Sequence, residues 1–207
     1  MPSGRPGQDA ETIGPPHRCM HARSIVLNDE PSSTNAEGIF EPFEIDHVPW
    51  QTFFRGARYG MRYQHLSSFG GGSQISVSME VLPPGRQANQ AHYHLLEEEH
   101  VFILEGRLTL RLGSKSHEMR AGHYVCFPAG QKVAHALINH PAEPCRYLVL
   151  GNPHPHDVAV HTETGRISVK LAGEGYRQSA TLEYWEGVDV DAPSPVPGDA
   201  SAADERP

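Results

Sequence analysis

From Ile75 to Val81 apolar and polar residues alternate without a break, with Ile75, Val77, Met79 and Val81 on one parity and Ser76, Ser78 and Glu80 on the other. Successive side chains of a strand leave opposite faces of the pleat, so this run describes a strand with one dry and one wet face. Pro83-Pro84-Gly85 ends it. The same grammar recurs downstream. Leu108, Leu110 and Leu112 alternate with Thr109 and Arg111, and Gly113-Ser114-Lys115 turns the chain into a further run over 116–119. Strand-like runs also cover 58–66, 90–94, 101–104, 123–127, 133–138 and 145–150, with 157–161 and 167–171 as additions. Residues 39–48 read as a strand that Pro42 and Pro49 confine to an edge, and the aromatic run 50–54 reads as core or barrel lid. Strands at a spacing of about ten residues, Gly/Pro turns and no long helical period predict an antiparallel all-β sandwich or barrel. Closure of such a barrel removes exposed sheet edges and leaves an interior for a small ligand. No internal repeat is visible, so one barrel is expected.

The ends of the chain read differently. Residues 1–38 hold Gly, Pro, Ser, Asn and charge, with Ser24-Ile25-Val26-Leu27 as the one apolar run. This segment is expected to be a disordered arm, the alternative being a strand added to a partner subunit. Residues 39–172 form the expected barrel, and 173–207 a C-terminal extension that is largely disordered. With 17 basic and 25 acidic residues the net charge is −8, which speaks against nucleic acid as a partner. No apolar run approaches the ~18 residues of a membrane span, and residues 1–16 lack the apolar heart of a secretion signal. Cys19, Cys126 and Cys145 are odd in number and scattered, which fits a reducing cytoplasm better than a disulfide framework.

The stretch from His92 to Asn139 carries the chemistry. His92 and His94 are two apart and project from one face of a strand. Glu99 shares the parity of Val101 and Ile103, and His135 comes from a separate run. Three imidazoles and one carboxylate, delivered from three strands into one interior, suit a divalent metal ion. Phe102, Leu104 and Leu148 have the opposite parity, and a second copy of the chain covering them is expected to give a homodimer.

These residues resemble the two motifs of the cupin superfamily, and in particular small single-domain bacterial cupins, some of them labelled sugar-phosphate isomerase-like. The first motif is matched by Gly85, His92, His94, Glu99 and Gly106, the second by Gly122, Pro128, Gly130, His135 and Asn139. The gap before His92 is one residue longer than the family pattern, and the gap between Gly130 and His135 two residues longer. An insertion of two keeps strand parity, so His135 can still point inward. The resemblance implies a double-stranded β-helix, or jelly-roll, barrel. It also implies one divalent metal ion, Fe, Mn, Zn, Ni or Cu, held by His92, His94, Glu99 and His135, with no other cofactor.

Glu97 and Glu98 compete with Glu99, but the spacing from Glu99 to Gly106 favours Glu99, and Glu98 has the wrong parity. His100 should face away, and His117, His123, His140, His154, His156 and His161 lack the spacing. Asn139 is expected to satisfy backbone groups near a turn. The functional expectation is a metal-dependent dioxygenase, isomerase, decarboxylase or lyase acting on a small polar, oxygen-rich substrate. The alternative is a non-catalytic cupin that binds or senses a small ligand, with a structural or storage barrel behind it. No further acid, base or nucleophile stands out, although Tyr63, Tyr93 and Tyr147 could reach a pocket.

Overall fold

Alternation and turns translate into two sheets. The structure, a computed structural model, describes residues 32–192. Among these residues thirteen strands pair antiparallel throughout. The first sheet runs in the order β1 (Gln51–Arg55), β2 (Tyr59–His65), β3 (Ser76–Leu82), β10 (Cys145–Gly151), β5 (Glu99–Glu105) and β8 (Tyr124–Phe127). The second runs β13 (Glu174–Arg177), β12 (Arg166–Val169), β11 (Val158–His161), β4 (His92–His94), β9 (His135–Ile138), β6 (Arg107–Leu112) and β7 (Lys115–Arg120). This is the all-β jelly-roll barrel expected from the sequence. Of the segments read as disordered, 1–31 and 193–207 lie outside the described residues, whereas 32–38 and 173–192 lie within them.

The inner faces of both sheets change character along each strand. On β5 the inward residues are Glu99, then Val101 and Ile103; on β9 they are His135, then Leu137. The apolar ends converge on a core that includes Leu82, Val101, Ile103, Leu108, Leu110 and Tyr147. Full burial of an aliphatic side chain contributes about 1.5–3 kcal/mol, so this end of the interior holds the barrel closed. Gly106 makes the turn from β5 to β6 at φ 76°, and a Cβ there would stand 2.6 Å from the Pro144 carbonyl oxygen. Both the left-handed backbone and the close approach require glycine.

Three sequence expectations change here. The wet face of β3 is the inward one: Ser78 and Glu80 line the barrel interior, Glu80 in register with Tyr63 and Tyr147 and Ser78 with His65 and Val149 of the neighbouring strands. Its dry face points out, where Met79 is buried while Ile75 is 61% exposed. That outer face is partly roofed by residues 43–48, because the fully buried Gln64 donates from Nε2 to the carbonyls of Ile45 (3.0 Å) and Val48 (2.7 Å). Secondly, residues 39–48 do not form a strand. Phe40 makes one isolated bridge with Thr34, and Ile45–His47 is a single 3-10 turn. The prolines that were to confine a strand to an edge prevent its ladder altogether. Thirdly, β13 falls within the C-terminal extension and pairs with β12. Phe102, Leu104 and Leu148 lie on the outer face of the first sheet and are half-buried.

Candidate metal centre

Strand parity and register bring three of the four predicted donors, His92, Glu99 and His135, into one group, while His94 stands beside Glu99 but groups with Glu97 and Asp157. His92 and His94 share one face of β4, His135 is the direct partner of His92 across the β4–β9 ladder, and Glu99 opens β5 in the opposite sheet. Glu99 Oε2 lies 3.2 Å from His135 Nε2 and 3.9 Å from His94 Nε2. One donor atom each from His92, Glu99 and His135 falls within 4.8 Å of the others. Neighbouring donors around an ion bound at ~2.1 Å stand about 3–4 Å apart, so the set fits a transition-metal ion.

The rings are oriented by what their other nitrogens touch. His92 Nδ1 donates to the Gln90 carbonyl at 2.7 Å, and His94 Nδ1 donates to Asp157 Oδ2 at 2.6 Å. Each bond fixes the tautomer and turns an Nε2 lone pair toward Glu99, an arrangement typical of metal-binding imidazoles. The His135 ring is sandwiched instead, stacking on Phe127 with centroids 3.7 Å apart and planes 6° apart. Its Nδ1 is buried without a partner.

Electrostatics follow from the same contacts. Burial, and then the neighbouring His135, push the His92 pKa down to about 3, so it stays neutral and able to donate a lone pair. Burial also works against charge on His94, but the Asp157 hydrogen bond and the Glu99 carboxylate outweigh it and raise its pKa. Burial works to raise the Glu99 pKa, yet His135, then His92 and His94, hold it well below the usual carboxylate range. Asp157 is held down to about 2, against burial, by His94 and by the backbone N–H groups of Leu96 and Glu97.

Several neighbours were not foreseen in their roles. Asp157 is 2% exposed and accepts from Leu96 N at 2.9 Å and Glu97 N at 3.2 Å as well as from His94. Glu97, the rival carboxylate, lies behind His94, with Oε2 3.7 Å from its Nδ1, while Oε1 pairs with the buried Lys170 and accepts from His154 N at 2.7 Å. Glu98 is exposed and meets His100 on the outer face at 3.0 Å, as its parity required. Asn139 donates from Nδ2 to the carbonyls of Leu82 (2.8 Å) and Glu143 (2.9 Å), the backbone role expected of it.

The main correction concerns Glu80, since the sequence offered no further acid. Glu80 lines a cavity of about 40 Å³ together with His92, Glu99, His135 and Tyr63. Burial, reinforced by the Glu99 charge, pushes its pKa up to about 7. The Tyr147 hydroxyl draws it part of the way back, though that hydroxyl reaches no acceptor within bonding distance. The signal was present in the alternation of β3, whose polar parity is the one facing the donors. A second cavity, of about 470 Å³, opens on His92, His94 and Glu99 and is walled on its far side by His161, Arg166 and Ser168.

Fold and site together define a double-stranded β-helix barrel of the cupin type. Residues 78–151 match the family model for the Cupin domain. The barrel is similar to a sugar phosphate isomerase of the cupin superfamily from Silicibacter pomeroyi DSS-3, with 25% identity, a TM-score of 0.62, and 70% of this chain and 98% of that one covered. It is also similar to a candidate sugar phosphate isomerase from Acidithiobacillus ferrooxidans ATCC 23270, with 23% identity, a TM-score of 0.57, and 60% and 80% covered. The second likeness concerns the fold alone. No curated protein sequence matches the chain. Among the described residues no helix is long and apolar enough to cross a membrane.

Proposed function

We propose that this protein is a metal-dependent enzyme that holds one divalent ion through His92, His94, Glu99 and His135 and acts on a small polar, oxygen-rich substrate in the adjoining cavity. The observation that carries this reading is Glu99 Oε2 standing 3.2 and 3.9 Å from two imidazole Nε2 atoms, with the His94 ring tied back to Asp157. Mixed imidazole and carboxylate donors suit Fe, Mn, Zn, Ni or Cu. Such an ion supplies Lewis acidity to a substrate oxygen. The chain's own residues do the rest. Asp157 orients His94, Phe127 holds the plane of His135 and excludes water, and Glu80 can exchange a proton across the small cavity near pH 7. Isomerisation is the favoured reaction class, because it needs a polarised oxygen and a residue that exchanges protons, and because the Silicibacter pomeroyi protein is named for it. The reading includes a homodimer through the face carrying Phe102, Leu104 and Leu148; light scattering giving only a 22.8 kDa species would remove that part.

Elemental analysis of the purified protein tests the centre. About one ion per chain is expected, with loss of most of it in His94→Ala and His135→Ala and no loss in His117→Ala, all folded by circular dichroism. Full occupancy in both variants would place the metal elsewhere. If azide never perturbs the spectrum of a Co-loaded sample, no coordination position is open, and non-catalytic ligand binding replaces the enzyme reading.

A further inference from the structure

Residues directly opposed across an antiparallel ladder present side chains to the same face. In the second sheet the register leads from His135 to His92, from His92 to His161, from His161 to Arg166 and from Arg166 to Arg177. This row leaves the metal donors and becomes cationic two strands further on. Strands lie about 4.8 Å apart, so Arg166 stands about 10 Å along the sheet from His92, the length of a small metabolite.

Several other cations among the described residues are already paired. Lys170 is paired with Glu97, and Arg58 and Arg111 with Glu163. The Arg166 guanidinium has no ion pair or hydrogen bond among the described residues. Glu174 also stands at the cavity wall, where it accepts from the Tyr176 hydroxyl. His161 meets Ser168 Oγ through Nε2 at 3.0 Å, and its Nδ1 is buried without a partner. When Ser168 donates to Nε2, the ring keeps its hydrogen on Nδ1 as an unused donor, which is costly to leave unsatisfied.

Gly175 supplies the seat. A Cβ at this position would lie 2.5 Å from Arg166 Nε and 2.8 Å from its Nη2. The backbone of Gly175 is outside the left-handed region, so the missing side chain answers to the guanidinium that lies across it. A planar guanidinium presents paired donors that match carboxylate and phosphate oxygens.

We propose that Arg166, with His161 and Ser168, forms an oxyanion-binding subsite, so that the molecule held at the metal centre carries a carboxylate or phosphate group seated there. This deepens the reading above and rests on it for the remainder of the ligand, while the subsite shares no residue with the metal donors.

Calorimetric titration of the full chain, metal-stripped and metal-reconstituted, with inorganic phosphate and separately with acetate at constant ionic strength, tests it. The metal-stripped protein should bind at least one of the two. Arg166→Gln should weaken that binding about tenfold or more, at unchanged metal content in the reconstituted form. Gly175→Ala, which keeps the charge but displaces it, should weaken binding as well, and it decides the matter if Arg166→Gln fails to fold. Tighter phosphate binding assigns a phosphate ester, and tighter acetate binding a carboxylate. No binding of either anion by the wild type, or unchanged affinity in the deciding variant, overturns the subsite. A wild type that holds no metal yet binds the anion through Arg166 overturns the metal centre and leaves the subsite standing.

Discussion

Strands β3 to β10 and strands β11 to β13 lie against each other at the donor cluster and contribute different things to it. The first group spans the cupin match, 78–151, and carries all four proposed donors together with most of the apolar core. The second follows that match and carries Asp157, His161, Arg166, Ser168 and Lys170. A metal ion could be gripped by the first group alone. What orients His94, walls the cavity and offers it a cation comes from the second. A fold shared by many proteins can thus keep its metal grip while the strands added to it set what is bound.

The strongest way to break this division is at the joint. Lys170 and Glu97 form a buried pair between the two groups, with side chains only 6% and 9% exposed. Lys170→Ala leaves a buried carboxylate uncompensated, at a cost of about 3–5 kcal/mol. At about 2–4 °C per kcal/mol for a chain of this size, the melting temperature should fall by roughly 6–20 °C. Replacing both partners by Met should cost far less, and urea titration of the three proteins checks this.

Within the first group, Glu80 separates site from core. Its pKa is raised from 4.5 to about 7, so the folded chain holds its proton more tightly than the unfolded one. The resulting stability is present in full below about pH 4.5 and is lost as pH rises through about 7. In metal-stripped protein, Glu80→Gln should therefore gain on the wild type by up to about 3 kcal/mol between pH 5 and pH 8. A constant difference across that range would show that Glu80 does not titrate there.

Asp157 sharpens the contribution of the second group. Asp157→Asn should leave the barrel folded and lower metal affinity about 10–100-fold, because His94 loses its carboxylate partner. Competition with a chromophoric chelator measures it. The smallest effect is expected at Glu163, which is in contact with the half-exposed Arg58 and with Arg111 at the surface. Burial raises its pKa and the arginines lower it, Arg111 foremost, with the net shift downward. Glu163→Gln should cost no more than about 1 kcal/mol.

The proposed donors stood out in the sequence because both signals behind them are local. Parity places His92 beside His94, and the spacing on either side of Glu99 and from His135 to Asn139 fits two short motifs. Asp157, His161 and Arg166 were not legible as site residues. They lie 63 or more positions from His94, and their role depends on which strands become neighbours, which no short pattern records. The face of β3 was misread for a related reason. In a barrel that encloses a polar site, the wet face of a strand can be the inner one, and alternation alone does not say which side water is on. Residues 39–48 had the composition of a strand and the prolines that forbid one.

The placement of β4 bears on how the chain comes together. This three-residue strand carries His92 and His94 and lies between β9 and β11, both of which follow it in the sequence. Its hydrogen-bonding partners begin at residues 135 and 158, so during synthesis the pair of imidazoles has no ladder to join until the chain has grown well past them. The hairpin of β6 and β7, by contrast, can close over a two-residue turn as soon as it is made. Long-range pairings form late and local ones early. The β6–β7 hairpin can therefore close before the strand carrying His92 and His94 has either of its partners.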